Sequence, residues 1–317
     1  EVDGVIRRCR KRAATILGAE TPEQVVFTFN ATDSLNTALH GLLSAGDHVV
    51  TSRAEHNSVL RPLRELETRR GVEVTRVDVD EDGRADPDAF ARALRPKTRL
   101  VCLQHASNVT GVLQPIERVG QIARQAGAVF LVDAAQSAGH HPIDLSDLPV
   151  DLLACAGHKG LLGPLGTGLL YIGPEIESSL AALRQGGTGS QSESDVQPEL
   201  LPDRFESGNL NAPALFGLDA ALGWLEGRTI ESIAEHECEL TGRLLERLAG
   251  HDGVRIVGPA AVDGRLGVVS ITAEGYEPTV LATVLDQQFG IQVRAGLHCA
   301  PGAHAAPSHK ASTPNNR

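Results

Sequence analysis

Short apolar runs rich in β-branched residues alternate along the first half of the chain with longer segments of helical period. This alternation is typical of an α/β domain, in which helices cover both faces of a mostly parallel sheet. The predicted strands are Val25–Phe29, His48–Thr51, Val72–Val77, Leu100–Leu103, Val129–Val132, Leu152–Cys155 and Gly168–Ile172. The predicted helices between them are Asp33–Leu43, Ser58–Arg70, Asp86–Leu94 and Ile116–Ala126, with Asp33 and Asp86 at or near helix starts as caps.

The pattern changes after a loop rich in Gly, Ser and Thr at residues 186–194. Two long helical segments follow, and then shorter strands alternate with one helix, as in a small α+β domain. These segments are helices Ala212–Trp224, Ile230–Leu248 and Thr279–Phe289, and strands Val254–Val257, Val268–Thr272 and Ile291–Arg294. We therefore predict a large domain over residues 1–211 and a smaller C-terminal domain over residues 212–302. Residues 303–317 offer almost no large apolar side chain to pack, which predicts an unstructured tail.

Charge and hydropathy narrow the function. The chain has 29 Lys and Arg against 40 Asp and Glu, a net charge of −11 that repels a nucleic acid backbone. No apolar run approaches the length of a membrane span, and residues 1–11 lack the apolar stretch of a secretory signal. We expect a soluble cytoplasmic protein with no nucleic acid or membrane partner.

The five cysteines are an odd number, widely scattered and without CxxC spacing. This argues against a disulfide framework and against a zinc knuckle, so reduced thiols are expected. The chain contains no methionine, even at position 1, which predicts a fragment or an incomplete gene model.

Polar clusters follow five of the predicted strands: Ala31–Asp33, Glu55–Asn57, Ser107–Asn108, Asp133 with Gln136, and Gly157–Lys159. In open α/β sheets, ligands bind beyond the carboxyl ends of the strands. The five clusters are therefore predicted to meet on one rim of the sheet.

Each of these residues also has a purely structural interpretation. Thr32 and Asp33 fit a helix cap as well as a phosphate site at a helix N-terminus. Asp133 fits a strand-end cap or a partner for a protonated ring nitrogen. His56 fits a surface or capping histidine as well as a stacking partner, and Lys159 alone would be an exposed lysine.

The order of the motifs is more specific than any one of them. The sequence resembles fold-type I pyridoxal phosphate enzymes of aminotransferase class V, and within that class the cysteine desulfurase group. The resemblance extends from about Ala13 to His304, and its GHK and VDAAQ segments are the most specific. It is carried by FTFNATDSLN, GDHVVTSRAEHNSV, HASNVTGVLQPI, FLVDAAQSAGHHPIDL and CAGHKGLLGPLGTGLLYI.

The resemblance implies pyridoxal phosphate (PLP) as the cofactor. Lys159 would be the Schiff-base lysine, Asp133 the partner of the pyridine nitrogen, and His56 the side chain stacked on the ring. The other cofactor-binding positions that it implies are Asn108 and Gln136 near the ring oxygen, and Thr32, with Asp33 beside it, and His158 at the phosphate. It also implies a homodimer, in which Asn209 reaches the cofactor of the neighbouring subunit.

Near the end, VRAGLHCAP resembles the loop that carries the family's catalytic cysteine, which makes Cys299 the candidate nucleophile. Its loop position favours an exposed, reactive thiolate. Cys102 and Cys155 lie inside apolar strand runs and fit idle buried thiols better. A metal site of His298, Cys299 and His304 lacks a second ligand pair.

Three departures from the family pattern stand out. Ala156 occupies a position where many members have a hydroxyl that contacts the phosphate, and Asn209 replaces the threonine of the family's GT segment. Both ends of the family pattern are also missing, including the arginine that grips the substrate carboxylate. We expect a truncated chain that is altered after His304.

The activity implied by the resemblance converts L-cysteine to L-alanine, with a persulfide on Cys299 and possibly a sulfur-acceptor protein as partner. Another class V activity, such as a selenocysteine lyase, an aminotransferase or an epimerase, would leave Cys299 dispensable. A third alternative is a chain that folds and catalyses nothing. Alanine release from cysteine, measured beside cofactor absorbance, separates the three.

Overall fold

The computed structural model describes residues 1–191 and 193–305 and contains a seven-stranded sheet of order β1-β7-β6-β5-β4-β2-β3. Strand β7 runs antiparallel to its neighbours β1 and β6, and the other paired strands are parallel. The mostly parallel α/β sheet is therefore confirmed. Its strands are β1 (Val25–Thr28), β2 (His48–Ser52), β3 (Glu73–Val77), β4 (Thr98–Gln104), β5 (Val129–Asp133), β6 (Leu152–Ala156) and β7 (Gly168–Ile172).

Eight α-helices are present in the described part of the chain. Seven of them were predicted from the sequence and agree in position within a few residues, and the eighth, α1, was not predicted. The helices are α1 (Val2–Leu17), α2 (Ala31–Leu42), α3 (Asn57–Arg70), α4 (Pro87–Ala93), α5 (Ile116–Gln125), α6 (Ala212–Arg228), α7 (Ile230–Ala249) and α8 (Pro278–Phe289). Strands β8 (Val254–Val257) and β9 (Ser270–Ala273) form a separate antiparallel pair.

The core lies in two layers, one on each face of the sheet. In β4, Val101 and Leu103 pack into one layer, and Leu100 and Cys102 pack into the other, because successive side chains point to opposite faces. Helices α1, α4, α5 and α6 contribute to the first layer, and α2 and α3 to the second. Burial on both faces explains why the strands read as continuous apolar runs.

The helix starts follow ordinary capping chemistry. Asp86 caps α4 by accepting a hydrogen bond from the backbone N–H of Asp88. At α2 the cap is Asn30, whose side chain accepts a hydrogen bond from Asp33 N, while Asp33 lies inside the first turn. Among the described helices, none is long and apolar enough to cross a membrane.

The predicted strand Ile291–Arg294 is wrong, because this segment has no regular secondary structure. Its apolar residues Ile291 and Val293 are each 51% exposed, so the alternation that suggested a strand has no sheet to pack on. The β8–β9 sheet ends after two strands within residues 193–305.

The predicted tail begins too early. Residues Pro301–Ala305 form a 3-10 helix, and Ala303 is buried against Ala54 and Val109, so this part of the tail is structured. Residues 306–317 lie outside the described residues. The domain boundary after residue 211 stays a prediction, and α6, which follows it, packs along α1 of the large domain.

Candidate active site

The carboxyl ends of β1, β2, β4, β5 and β6 lie on one rim of the sheet, since these strands run in the same direction. Strand β7 runs the opposite way and begins at that rim, where Gly168 pairs with Thr28 and Ala156. All five polar clusters predicted from the sequence therefore follow strands that end on this rim.

Lys159 lies in a tight turn after β6. A Cβ on Gly157 would lie 2.1 Å from Thr167 Oγ1, and a Cβ on Gly160 would lie 2.4 Å from the carbonyl oxygen of Ala138. Only glycine fits at these two positions, so the turn packs directly on its neighbours. Burial lowers the pKa of Lys159, and the nearby charge of Asp133 opposes this effect. A lowered pKa increases the share of neutral amine, the form that attacks a carbonyl.

Asp133 ends β5 and is 5% exposed. Burial raises its pKa, whereas a hydrogen bond from Ala135 N at 2.9 Å and the charges of Lys159 and His56 lower it. Within the described residues, Ala135 is the only hydrogen-bond donor to this carboxylate. The second carboxylate oxygen is therefore available to a cation such as a protonated ring nitrogen.

His56 is the N-cap of α3, and its Nδ1 accepts a hydrogen bond from Ser58 N at 3.0 Å. An accepting Nδ1 carries no proton, so the neutral ring holds its proton on Nε2. Burial lowers the pKa of His56, which keeps the ring neutral. The hydroxyl of Ser58 lies 2.9 Å from His56 Nδ1 and 2.7 Å from Thr32 Oγ1, and so connects His56 to the start of α2. His56 is thus both a helix cap and one of the titratable side chains around Asp133.

The loop that carries Cys299 is attached to the rim at two points. Asn57 N donates to the carbonyl oxygen of Cys299 at 2.7 Å, and Asn108 Nδ2 donates to the carbonyl oxygen of His298 at 2.5 Å. His298 and Cys299 have φ values of 52° and 59°, a left-handed conformation that non-glycine residues adopt at a cost. The Cys299 side chain remains exposed.

Arg294 is a candidate site residue that the sequence analysis missed. Its Nη2 donates to the sulfur of Cys299 at 3.7 Å, and its charge lowers the pKa values of His56, Lys159 and His298. The signal was present in the sequence, because Arg294 precedes Cys299 by five residues in the same segment. The sequence analysis placed Arg294 in a predicted strand and therefore did not consider it together with Cys299.

Asn108 and Gln136 are the positions that the resemblance places near the ring oxygen. Oδ1 of Asn108 is buried without a hydrogen-bond partner in the described part of the chain. Gln136 lines a cavity of about 250 Å³ together with His140 and Glu237, which are joined by a contact of 2.6 Å.

The remaining predicted positions are Asp33, His158 and Asn209. Asp33 accepts hydrogen bonds on both oxygens, from Arg184 at 2.7 Å and from Phe29 N at 3.0 Å, which favours a structural role. His158 is exposed in the turn that carries Lys159. Asn209 is exposed and lines a pocket together with Phe29 and Arg184.

This strand order, with a lysine and a buried carboxylate on one rim, defines an enzyme of the fold-type I pyridoxal phosphate class. The family model for aminotransferase class-V matches residues 1–313, and the chain belongs to that family. The chain is 36% identical, over 298 residues, to a probable cysteine desulfurase of Methanothermobacter thermautotrophicus. That match covers 93% of this chain and 74% of the relative.

Solved structures of similar enzymes share this fold. The apo cysteine desulfurase of Thermococcus onnurineus NA1 superposes with a TM-score of 0.88 at 34% identity, over 96% of this chain and 76% of that one. The cystine C–S lyase C-DES, in a mutant form with glycine covalently linked to the PLP cofactor, superposes with a TM-score of 0.82 at 26% identity. That match covers 92% of this chain and 78% of the other.

The side chains on the rim fit PLP. The amine of Lys159, whose pKa burial lowers, suits an aldehyde. Asp133 has one oxygen without a hydrogen-bond donor among the described residues, which suits a ring nitrogen. The unpartnered Oδ1 of Asn108 marks a buried position that lacks a polar neighbour among the described residues. The N-terminus of α2 beside Thr32 suits a phosphate.

Proposed function

We propose that this chain is a PLP-dependent cysteine desulfurase, which converts L-cysteine to L-alanine and leaves the sulfur as a persulfide on Cys299. The observation that carries the proposal is the hydrogen bond from Asn57 N to the carbonyl oxygen of Cys299. It holds an exposed thiol on the helix start that also carries His56, beside the charged group of Asp133 and Lys159. The curated relatives named cysteine desulfurase support the same activity.

In this proposal Lys159 binds the cofactor covalently, Asp133 holds the ring nitrogen, and His56 lies against the ring. Asn108 and Gln136 lie near the ring oxygen, and Thr32 and His158 lie near the phosphate. When bound, PLP supplies an electron sink that weakens the bonds at the substrate Cα.

The chain's own residues then carry out defined tasks. Lys159, half-buried and with a lowered pKa, takes and returns the proton at the substrate Cα. The thiolate of Cys299 attacks the substrate sulfur, so one C–S bond breaks and one S–S bond forms. Cysteine and the enzyme thiol thereby become alanine and the enzyme persulfide, with all atoms accounted for. Arg294 contacts the sulfur of Cys299 and orients it for this attack.

We further propose a cytoplasmic homodimer that passes its sulfur to an acceptor protein. Exposed apolar side chains near the rim, Phe29 at 54% and Leu165 at 77%, support a covering second subunit. The exposed Asn209 is available to a neighbouring cofactor. All five cysteines lie within the described residues and are free, which supports a reducing compartment.

The test measures cofactor absorbance, alanine release and protein persulfide in four proteins: the parent, Lys159→Ala, Cys299→Ser and Cys238→Ser. Cys238 is also exposed, on α7, and serves as the matched control. We expect Lys159→Ala to lose the visible cofactor band, because the covalent link is lost. We expect Cys299→Ser to keep the band but form no persulfide, since a serine hydroxyl attacks sulfur poorly.

Cys238→Ser should behave as the parent. If Cys299→Ser releases alanine as fast as the parent, the desulfurase proposal is wrong, and another class V activity that does not need Cys299, such as a selenocysteine lyase, takes its place. A parent that binds the cofactor and releases no alanine supports a chain that folds without catalysing.

A further inference from the structure

Glu55 is a fully buried carboxylate that the reaction described above does not use. It directly precedes His56, and both of its oxygens accept hydrogen bonds. Oε1 accepts from the hydroxyl of Ser52 at 2.5 Å, and Oε2 accepts from Gln104 N at 2.9 Å. Glu55 therefore joins the end of β2 to the end of β4, immediately beside the residue proposed to lie against the ring.

The carboxylate of Glu55 also lies one strand away from Asp133. Gln104, which donates to Glu55, is the register partner of Asp133 on β5. The charge of Asp133 acts on Glu55, and both carboxylates raise the pKa of Cys102 on β4, after the larger effect of burial. Two buried acidic groups therefore share one region beneath the rim.

Burial, together with the charge of Asp133, raises the pKa of Glu55 to about 8, although the hydrogen bonds from Ser52 and Gln104 oppose this effect. The carboxyl group of Glu55 therefore keeps its proton at neutral pH until a cation offsets the charge of Asp133. The charges of Lys159 and His56 act on Asp133, and the charge of Arg294 acts on His56 and Lys159 in turn. A protonated ring nitrogen bound at Asp133 adds the cation that a second buried carboxylate requires.

We propose that Glu55 is a positioning residue for the cofactor. It holds the turn that carries His56, and it ionises when the ring nitrogen binds at Asp133, so that a second negative charge keeps that nitrogen protonated. The inference rests on the proposed PLP site. It assigns to Glu55 a role in cofactor electrostatics beyond joining two strands.

A glutamine at this position separates charge from shape. The amide oxygen of Glu55→Gln can accept the hydrogen bond from Gln104 N, and its NH2 group can donate to Ser52 Oγ, so both contacts persist without the charge. Glu55→Asp keeps the charge on a shorter side chain. Glu65→Gln removes a charge of the same sign from an exposed residue of α3 and is the matched control.

The readout is cofactor selectivity in the absence of substrate. Each apo protein is titrated with PLP and with 1-deaza-PLP, whose ring carries carbon in place of nitrogen and takes no proton. We expect the parent to prefer PLP. We expect Glu55→Gln to reduce that preference about tenfold, the effect of losing one nearby charge at an effective dielectric constant near 20. Glu55→Asp and Glu65→Gln should keep the preference of the parent.

A purely structural role of Glu55 predicts a different result, because a change in the shape of the site weakens the binding of PLP and of 1-deaza-PLP equally. An unchanged ratio in Glu55→Gln overturns the proposal. If Glu55→Gln does not fold, Ser52→Ala decides: it removes a donor that stabilises the anion, so the ratio should fall in the same direction. The ratio of PLP affinity to 1-deaza-PLP affinity is interpreted on the condition that the parent shows a visible cofactor band and Lys159→Ala does not. Persistence of that band in Lys159→Ala refutes the proposed function itself, independently of Glu55.

Discussion

The guanidinium of Arg294 donates to the sulfur of Cys299 across 3.7 Å, although no strand or helix holds either residue. The contact forms within one loop, whose carbonyl groups are anchored by Asn57 and Asn108. The guanidinium therefore places a positive charge beside the sulfur of Cys299, which remains exposed.

Arg294→Gln should slow alkylation of Cys299 by iodoacetamide several-fold at neutral pH. The reason is that iodoacetamide reacts with the thiolate, and the variant removes the positive charge that contacts the sulfur at 3.7 Å. The measurement is the labelling rate of each cysteine by mass spectrometry. Cys238 is exposed in the same protein and provides an internal control, with an unchanged rate expected. Equal labelling of Cys299 in parent and variant would show that Arg294 does not activate the sulfur.

Asn57→Pro should release the Cys299 loop and leave α3 intact. Asn57 is the first residue of α3, where proline is well tolerated, and His56 before it has an extended conformation that suits a following proline. The proline ring would occupy the place of the N–H that donates to the Cys299 carbonyl. We expect faster hydrogen exchange over residues 295–303 and less persulfide, with the cofactor band retained.

Asn57→Ala is the control for that experiment, since it keeps the N–H and removes only the side chain. Parent-like exchange is expected in Asn57→Ala. If the proline variant also exchanges at the parent rate, the backbone hydrogen bond does not hold the loop.

The large sheet was predictable because its strands are buried on both faces and read as unbroken apolar runs. The rim followed from that sheet, since residues after parallel strands meet at one edge. The antiparallel direction of β7 was not predictable, because an apolar run such as Gly168–Ile172 carries no mark of direction.

Two other features depend on contacts that the local pattern does not contain. Helix α1 is rich in arginine and buries mainly small residues, and Arg8 and Arg12 pair with the distant Asp219 on α6. Arg294 and Cys299 are joined by the folding of one loop. Spacing alone placed Arg294 in a strand, which the structure shows to be wrong.

Arg10→Ala should lower the free energy of unfolding by about 3 kcal/mol. Arg10 and Glu206 form a two-pronged ion pair at 2.7 and 2.8 Å, with side chains 9% and 6% exposed. Removal of Arg10 leaves a buried carboxylate without its cation, which is the costly case for an ion pair. The measurement is urea denaturation. Arg53→Ala, which breaks the exposed pair with Asp78, should cost less than about 1 kcal/mol. If both variants lost less than about 1 kcal/mol of the free energy of unfolding, the buried pair would contribute no more than the exposed pair.

His105 should make the folded state sensitive to acid. Its side chain is 5% exposed, Nδ1 has no hydrogen-bond partner among the described residues, and the ring meets that of His141 edge-on at 5.4 Å. Burial, with a smaller contribution from His141, lowers its pKa to about 3. The unfolded chain binds this proton near pH 6.5, and the folded chain does not. The stability that the folded protein gains from a neutral His105 is therefore complete above pH 6.5, and it is lost as the pH falls from 6.5 towards 3.

His105→Phe keeps an aromatic ring against His141 and removes the titration. Near pH 5, the free energy of unfolding of the parent should fall more steeply with decreasing pH than that of the variant, by about 1.4 kcal/mol per pH unit. The measurement is urea denaturation at several pH values between 7 and 4.5, in which the slope with pH is compared rather than the absolute stability. His236→Gln removes an exposed histidine of α7 and should leave the slope unchanged. Equal slopes for the parent and His105→Phe would mean that His105 takes up its proton in the folded protein, against the burial seen here.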